Sequence, residues 1–167
     1  TLIINGRYVV NLTVQTAVAN AYGDFLMKRQ YPFFVLYLTM PADEIDVNVH
    51  SMAVGDYQVS DEVAIERKTA KDFVDSLIDK RLFKQARELS EEFKKPLLIL
   101  EGDDLYAGMV NANAIRGSIA SIALDFGISI IPTRNAQDTA AMIKRIAIRE
   151  QNGEHTPVQI RTDKKPV

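Results

Sequence analysis

The stretch "VGDYQVSDEVAIERKTAKDF", Val54 to Phe73, sets the frame for the rest of the chain. Its centre reads as a short buried strand, Val63-Ala64-Ile65, reached through a turn at Ser60-Asp61-Glu62. Thr69 then opens a helix, with Asp72 at the spacing of a capping box, where side chains satisfy orphan amides of the first turn. Between strand and helix stand Glu66, Arg67 and Lys68. Residues two apart on a strand share a face, so Glu66 and Lys68 point one way and Arg67 the other.

Asp56 closes the preceding strand, and a hairpin joining 48–57 with 62–68 brings it beside Glu66. Two carboxylates at close quarters repel unless a cation lies between them, and oxygen ligands favour a hard ion such as magnesium or manganese. Lys68 next to that ion is placed to position or help deprotonate an attacking water and to stabilise charge on a phosphate. The chemistry implied is metal-dependent phosphodiester hydrolysis. A solvated edge hairpin carrying Glu and Lys yields the same letters, so the motif D-x(9)-E-x-K alone leaves that reading open.

Outward from this centre, strand and helix signals alternate. Towards the amino terminus, "TLIINGRYVV" (1–10) reads as a strand broken by Asn5-Gly6. Val14, Val18, Ala21, Phe25 and Leu26 place a helix over about 13–29, "FFVLYLTM" (33–40) is a buried strand, and "IDVNVHSMAV" (45–54) alternates as a half-exposed one. Towards the carboxy terminus, Phe73, Leu77 and Ile78 keep helical period, a kink falls near Asp79-Lys80, and Leu82, Ala86, Leu89 and Phe93 continue it until Pro96. "LLILEG" (97–102) is a fully buried strand followed by a loop at Asp103-Asp104. Ile115, Ile119, Ile122 and Phe126 form a helical stripe capped by Gly127, "ISII" (128–131) is another strand, and Asn135 caps a last helix with Ile143, Ile146 and Ala147. The pattern predicts an α/β sandwich with a central mixed sheet over residues 1–150, with 151–167 as a polar linker or tail.

Composition bounds the function. The 167 residues suit one domain, and 20 basic against 22 acidic side chains leave no strong overall field. Cysteine is absent, which excludes disulfides and thiolate metal sites. The first residues lack a signal-peptide pattern and no apolar run approaches membrane-spanning length. The expectation is an intracellular protein: cytoplasm or nucleoid in a prokaryote, nucleus in a eukaryote, with no membrane partner. Between Glu66 and Lys95 nine Lys or Arg face seven Asp or Glu, and Lys80, Lys84 and Arg87 fall on one predicted helix face, a candidate phosphate-contacting ridge.

The combination "GDY" (55–57) and "VAIERKTAKD" (63–72), with "LIDKRLFKQ" (77–85), "PLLILEG" (96–102), "NANAIRGSIASIALDFGISII" (111–131) and "DTAAMIKRIAIREQ" (138–151), resembles the XPF/Hef structure-specific DNA nucleases over roughly Ile45 to Gln151. The resemblance implies a restriction-endonuclease-like three-layer core that cuts branched DNA, forks and flaps, with Mg2+ or Mn2+, in DNA repair or replication-fork processing. It assigns Asp56 and Glu66 as metal ligands and Lys68 to the attacking water. Arg67 would supply its backbone carbonyl or a structural ion pair, Asp72 support for the site, and Arg81 and Gln85 either DNA contact or a brace. It also implies a homodimer through helices near 113–126 and 136–150, and a helix-hairpin-helix domain beyond an excised nuclease domain. One departure stands out. Active members carry an Asp-x-Arg-Glu motif on the first strand, whereas "NGRY", Asn5 to Tyr8, keeps Arg7 and lacks both acids. Either Asp43-Glu44 takes the missing role or the site is weakened to a silent DNA-binding or dimerisation module of the same family.

Overall fold

The computed structural model describes Leu2–Asn5, Val47–His50 and residues 52–151. The helix read at 13–29, the strand at 33–40, Arg7, Tyr8, Asp43, Glu44 and the tail beyond Gln151 lie outside the described residues. Six strands form one mixed sheet in the order β2-β1-β3-β4-β5-β6. They are β1 (Leu2–Asn5), β2 (Val47–His50), β3 (Tyr57–Gln58), β4 (Val63–Thr69), β5 (Lys95–Glu101) and β6 (Ser129–Thr133). Helices α1 (Ala70–Ile78) and α2 (Leu82–Glu92) connect β4 to β5, α3 (Ala112–Leu124) connects β5 to β6, and α4 (Ala136–Gln151) follows β6. β4, β5 and β6 run parallel, and β3 pairs antiparallel with both β1 and β4.

Period-2 alternation builds the layers. On one face Ala64, Leu98 and Leu100 meet Phe73 of α1, Leu82 and Leu89 of α2, and Ile115 and Ile122 of α3. On the other, Tyr57, Val63, Ile65 and Ile99 meet Ala140, Ile143 and Ala147 of α4. This is the expected three-layer α/β sandwich. Phe73, Ile65, Ile99 and Ile143 are completely buried, each contributing about 1.5–3 kcal/mol of hydrophobic stabilisation. Among the described residues no helix is long and apolar enough to cross a membrane.

Several sequence expectations are corrected. The hairpin partner of β4 is not a strand over 48–57: Val47–His50 pairs in parallel with β1 at the far edge, and only Tyr57–Gln58 reaches β4. Alternation alone gives a strand its faces but not its neighbour. β4 runs from Val63 through Thr69, longer than Val63-Ala64-Ile65, and Glu66, Arg67 and Lys68 lie within it with the expected alternation. The kink at Asp79-Lys80 is a full break. Lys80 takes φ 61 in a tight turn whose Arg81 amide returns to Ser76 carbonyl at 2.9 Å, so Lys80, Lys84 and Arg87 do not share one helix face. Pro96 and Pro132 lie inside strands rather than outside them. Pro96 precedes Leu97, where pairing with β6 begins, and Pro132 sits on the edge strand, where a missing donor costs little.

Candidate active site

The Gly-Asp-Tyr element acts through its backbone. Gly55 has φ 79, a conformation open to glycine and strained for other residues, although a Cβ there would only touch Leu89, at 3.4 Å. The next residue rejoins the ladder, with the Asp56 amide donating to the Ile65 carbonyl at 2.9 Å. Alternation then sends Asp56 into an open cleft and Tyr57 into the core beneath α4. On β4 the same rule puts Glu66 and Lys68 in the cleft and turns Arg67 towards Glu101 on the α4 side.

Within the cleft the groups are tied together. Asp56 Oδ2 accepts from the Arg67 main-chain amide at 2.8 Å. Glu66 Oε1 accepts from Lys68 Nζ at 3.1 Å and from Gln85 Nε2 at 3.3 Å, while Gln85 Oε1 accepts from Lys68 Nζ at 2.9 Å. Lys68 is only 6% exposed. The cleft encloses about 320 Å³, and Asp72 and Arg81 also line it. Burial, and after it the charge of Glu66, push the Asp56 carboxyl from 3.8 up to about 7. The Arg67 amide, Lys68 and the Arg67 side chain pull the other way and only partly offset this.

The remaining named residues divide. Asp72 is exposed at the first turn of α1, where its amide donates to Thr69 Oγ1 at 3.0 Å and its Oδ2 accepts from that hydroxyl at 2.7 Å. Half of the capping box therefore forms, and the carboxylate sits on the cleft rim. Gln85 is engaged as a brace between Glu66 and Lys68. Arg81 is exposed and pairs with Asp79 at 2.9 Å, Lys84 lies 3.7 Å from Glu88, and Lys80 occupies its exposed turn away from the helix face assigned to it. Continuing the β1–β3 register by one residue sets Asn5 opposite Asp56, so the "NGRY" stretch begins beside the cleft. Among the described residues no group of three or more acidic or histidine side chains is gathered that could hold a metal.

Two functional candidates escape the sequence reading. Glu101, the last residue of β5, is 6% exposed and takes a two-pronged bond from Arg67; Thr139 of α4 donates to its Oε2 at 2.6 Å. The signal was present: a carboxylate ending the wholly apolar run "LLILE" is as anomalous as Glu66 on β4.

A restriction-endonuclease-like α/β sandwich with two carboxylates and a lysine in a cleft on its sheet is the class this geometry defines. An ERCC4 domain model matches residues 26–146, and the chain belongs to the ERCC4 domain family. Among relatives, a Methanocaldococcus jannaschii protein named for an ATP-dependent RNA helicase is 48% identical over 119 residues, covering 71% of this chain and 15% of the relative. The 3'-flap repair endonuclease Xpf of Saccharolobus solfataricus is 37% identical over 113 residues, 66% of this chain and 48% of the relative. The chain therefore spans less than half of either. A shorter likeness, 53% over 47 residues or 28% of this chain and 8% of the relative, links it to the DNA mismatch repair protein MutL of Geotalea uraniireducens. Among solved structures, XPF from Aeropyrum pernix in complex with DNA superposes with a TM-score of 0.64 at 25% identity, over 94% of this chain and 68% of that one.

Proposed function

We propose that the described core is a divalent-cation-dependent endodeoxyribonuclease that hydrolyses phosphodiester bonds in branched DNA, such as forks and flaps, during repair or replication-fork processing. The observation that carries this reading is the convergence of Asp56, Glu66 and Lys68 in one cleft, with two acids incompletely neutralised by the protein's own cations. The donor set fits a hard ion: the free donors are carboxylate oxygens, and the cleft leaves room for the waters that magnesium retains. Asp56 and Glu66 would hold Mg2+ or Mn2+, which supplies charge stabilisation at phosphate and a more acidic water. The DNA complex of the Aeropyrum pernix relative and the name of the Saccharolobus solfataricus one support DNA as substrate.

The chain's own groups do the rest. Lys68 Nζ has three protons; Glu66 and Gln85 take two, leaving one for an attacking water or a phosphate oxygen. Gln85 keeps Glu66 and Lys68 in register. Arg67 contributes its ion pair behind the sheet, and Asp72 supports the rim. Arg81, Lys80 and Lys84 present exposed cations to the DNA backbone. A second copy would cover the apolar surface of α3, where Leu124 is 83% exposed, and α4 would share that interface.

Incubating labelled fork and flap substrates with each metal tests the reading, and absence of cutting at high enzyme with every metal defeats it. One observation favours a second reading, a silent DNA-binding or dimerisation module: among the described residues no third acid or histidine joins Asp56 and Glu66 in a group that could hold a metal. Titration calorimetry separates the two, because a silent module releases no Mn2+-dependent heat that Asp56→Asn removes.

A further inference from the structure

Behind the cleft, on the α4 side of the sheet, lies a set of buried polar groups that the proposed chemistry does not touch. Glu101 Oε2 accepts from Arg67 Nε at 3.1 Å and from Thr139 Oγ1 at 2.6 Å, and its Oε1 takes the second prong of the guanidinium. Thr139 Oγ1 in turn lies 2.7 Å from Thr133 Oγ1 on β6. Glu101, Thr133 and Thr139 are all buried. A planar guanidinium held by two oxygens has one allowed orientation, so this fork fixes the Arg67 side chain tightly.

The consequence for the cleft passes through a single peptide. The β3–β4 ladder bonds the Asp56 amide to the Ile65 carbonyl, and two residues further along β4 the Arg67 amide takes the Asp56 carboxylate instead of a ladder carbonyl. Arg67 is thus anchored by its side chain on one face while its amide aims Asp56 on the other. We infer that Glu101, held by Thr139 of α4, is a positioning residue for the carboxylate cleft: it fixes Arg67, and through the Arg67 amide it sets the direction of Asp56. The consequence for cation binding rests on the nuclease reading; the positioning itself does not.

The fork could instead merely bind β4, β5 and α4 together, and two measurements separate these roles. The first is hydrogen exchange at the Arg67 amide in Glu101→Gln, Thr139→Val and the conservative Thr139→Ser. Positioning predicts that the first two variants speed exchange of this amide about tenfold while Ile65, on the same strand, keeps its protection, and that Thr139→Ser retains the wild-type rate. The second is Mn2+ affinity by electron paramagnetic resonance. Glu101→Gln should weaken it by about tenfold, as loss of an outer hydrogen-bond partner does. The double variant Arg67→Met/Glu101→Leu, which replaces the pair with apolar groups, should regain thermal stability without regaining Mn2+ affinity. An unchanged Arg67 amide in both disruptive variants overturns the inference, as does Mn2+ affinity that recovers together with stability in the double variant. If the wild type binds no Mn2+ at all, the nuclease reading fails, and the exchange rates still decide the positioning.

Discussion

The two faces of β4 carry the same kinds of residue and treat them in opposite ways. Towards α4, Arg67 and Glu101 are buried, matched in charge and closed off by Thr139. Towards the cleft, Asp56 and Glu66 share one lysine, and burial leaves Asp56 with a raised proton affinity. A closed pair costs desolvation and returns it in hydrogen bonds, so its net effect is rigidity. An open, under-neutralised pair keeps free energy available for something that arrives from outside. One strand, by alternation alone, presents a closed ion pair on its back and an open, acid-bearing cleft on its front.

The largest predicted effect attacks the front. Asp56→Asn or Glu66→Gln should lower cleavage of a fork substrate by at least about 10³-fold. Asp56→Asn should leave the melting temperature unchanged or higher, because it removes a repelling charge, whereas Glu66→Gln takes the ion-pair partner from buried Lys68 and should lower it. Turnover in either variant within tenfold of wild type would place the chemistry elsewhere. Next in size is damage to the back. Glu101→Ala strands a buried guanidinium and should cost about 3–5 kcal/mol in urea denaturation. A loss below about 1 kcal/mol would show that the pair is solvated and that the two faces do not differ.

pH sharpens the contrast further. Asp56 has a folded pKa of about 7 against 3.8, so the folded state binds its proton more tightly than the unfolded chain does. Its stabilising contribution is complete below about pH 4 and is lost as pH rises through 7, at up to about 1.4 kcal/mol per unit. The metal-free protein should therefore lose stability between about pH 4 and 7 more steeply than Asp56→Asn does, and Mn2+ should reverse that loss at pH 8. Parallel curves for the two proteins would contradict the open character of the cleft.

How far the sequence revealed these faces depends on whether neighbours along the chain are also neighbours in space. Glu66, Arg67 and Lys68 sort correctly because alternation on one strand is a local property. The helix opening at Thr69 and the cap at Asn135 are equally local, and both side chains accept from amides in the first turn. The pairing of β4 is not local. The stretch 48–57 reads as its partner, yet β1 takes Val47–His50, and a two-residue strand suffices to deliver Asp56. Glu101 stands out at the end of its apolar run, but its role does not, for the same reason: its partners Arg67 and Thr139 lie 34 and 38 residues away. The kink near Asp79-Lys80 is legible, but its depth is not, because a lysine at positive φ has no compositional signature.

The smallest predicted effect tests the rim, where neither face's logic applies. Lys84 is exposed and loosely paired with Glu88 at 3.7 Å, so its net worth to the fold is a few tenths of a kcal/mol at most. Lys84→Ala should leave the melting temperature within a degree or two and the Mn2+ affinity untouched. What it should change is the response of DNA binding to salt, since removing one cation from a phosphate lowers the slope of log K against log salt by about one. An unaltered slope would assign Lys84 to solvent and its i,i+4 partner, and would leave Arg81, which lines the cleft, as the exposed cation at its edge. A lowered slope with unchanged turnover at saturating DNA would mark the rim as a surface for holding the backbone, separate from the groups that act on it.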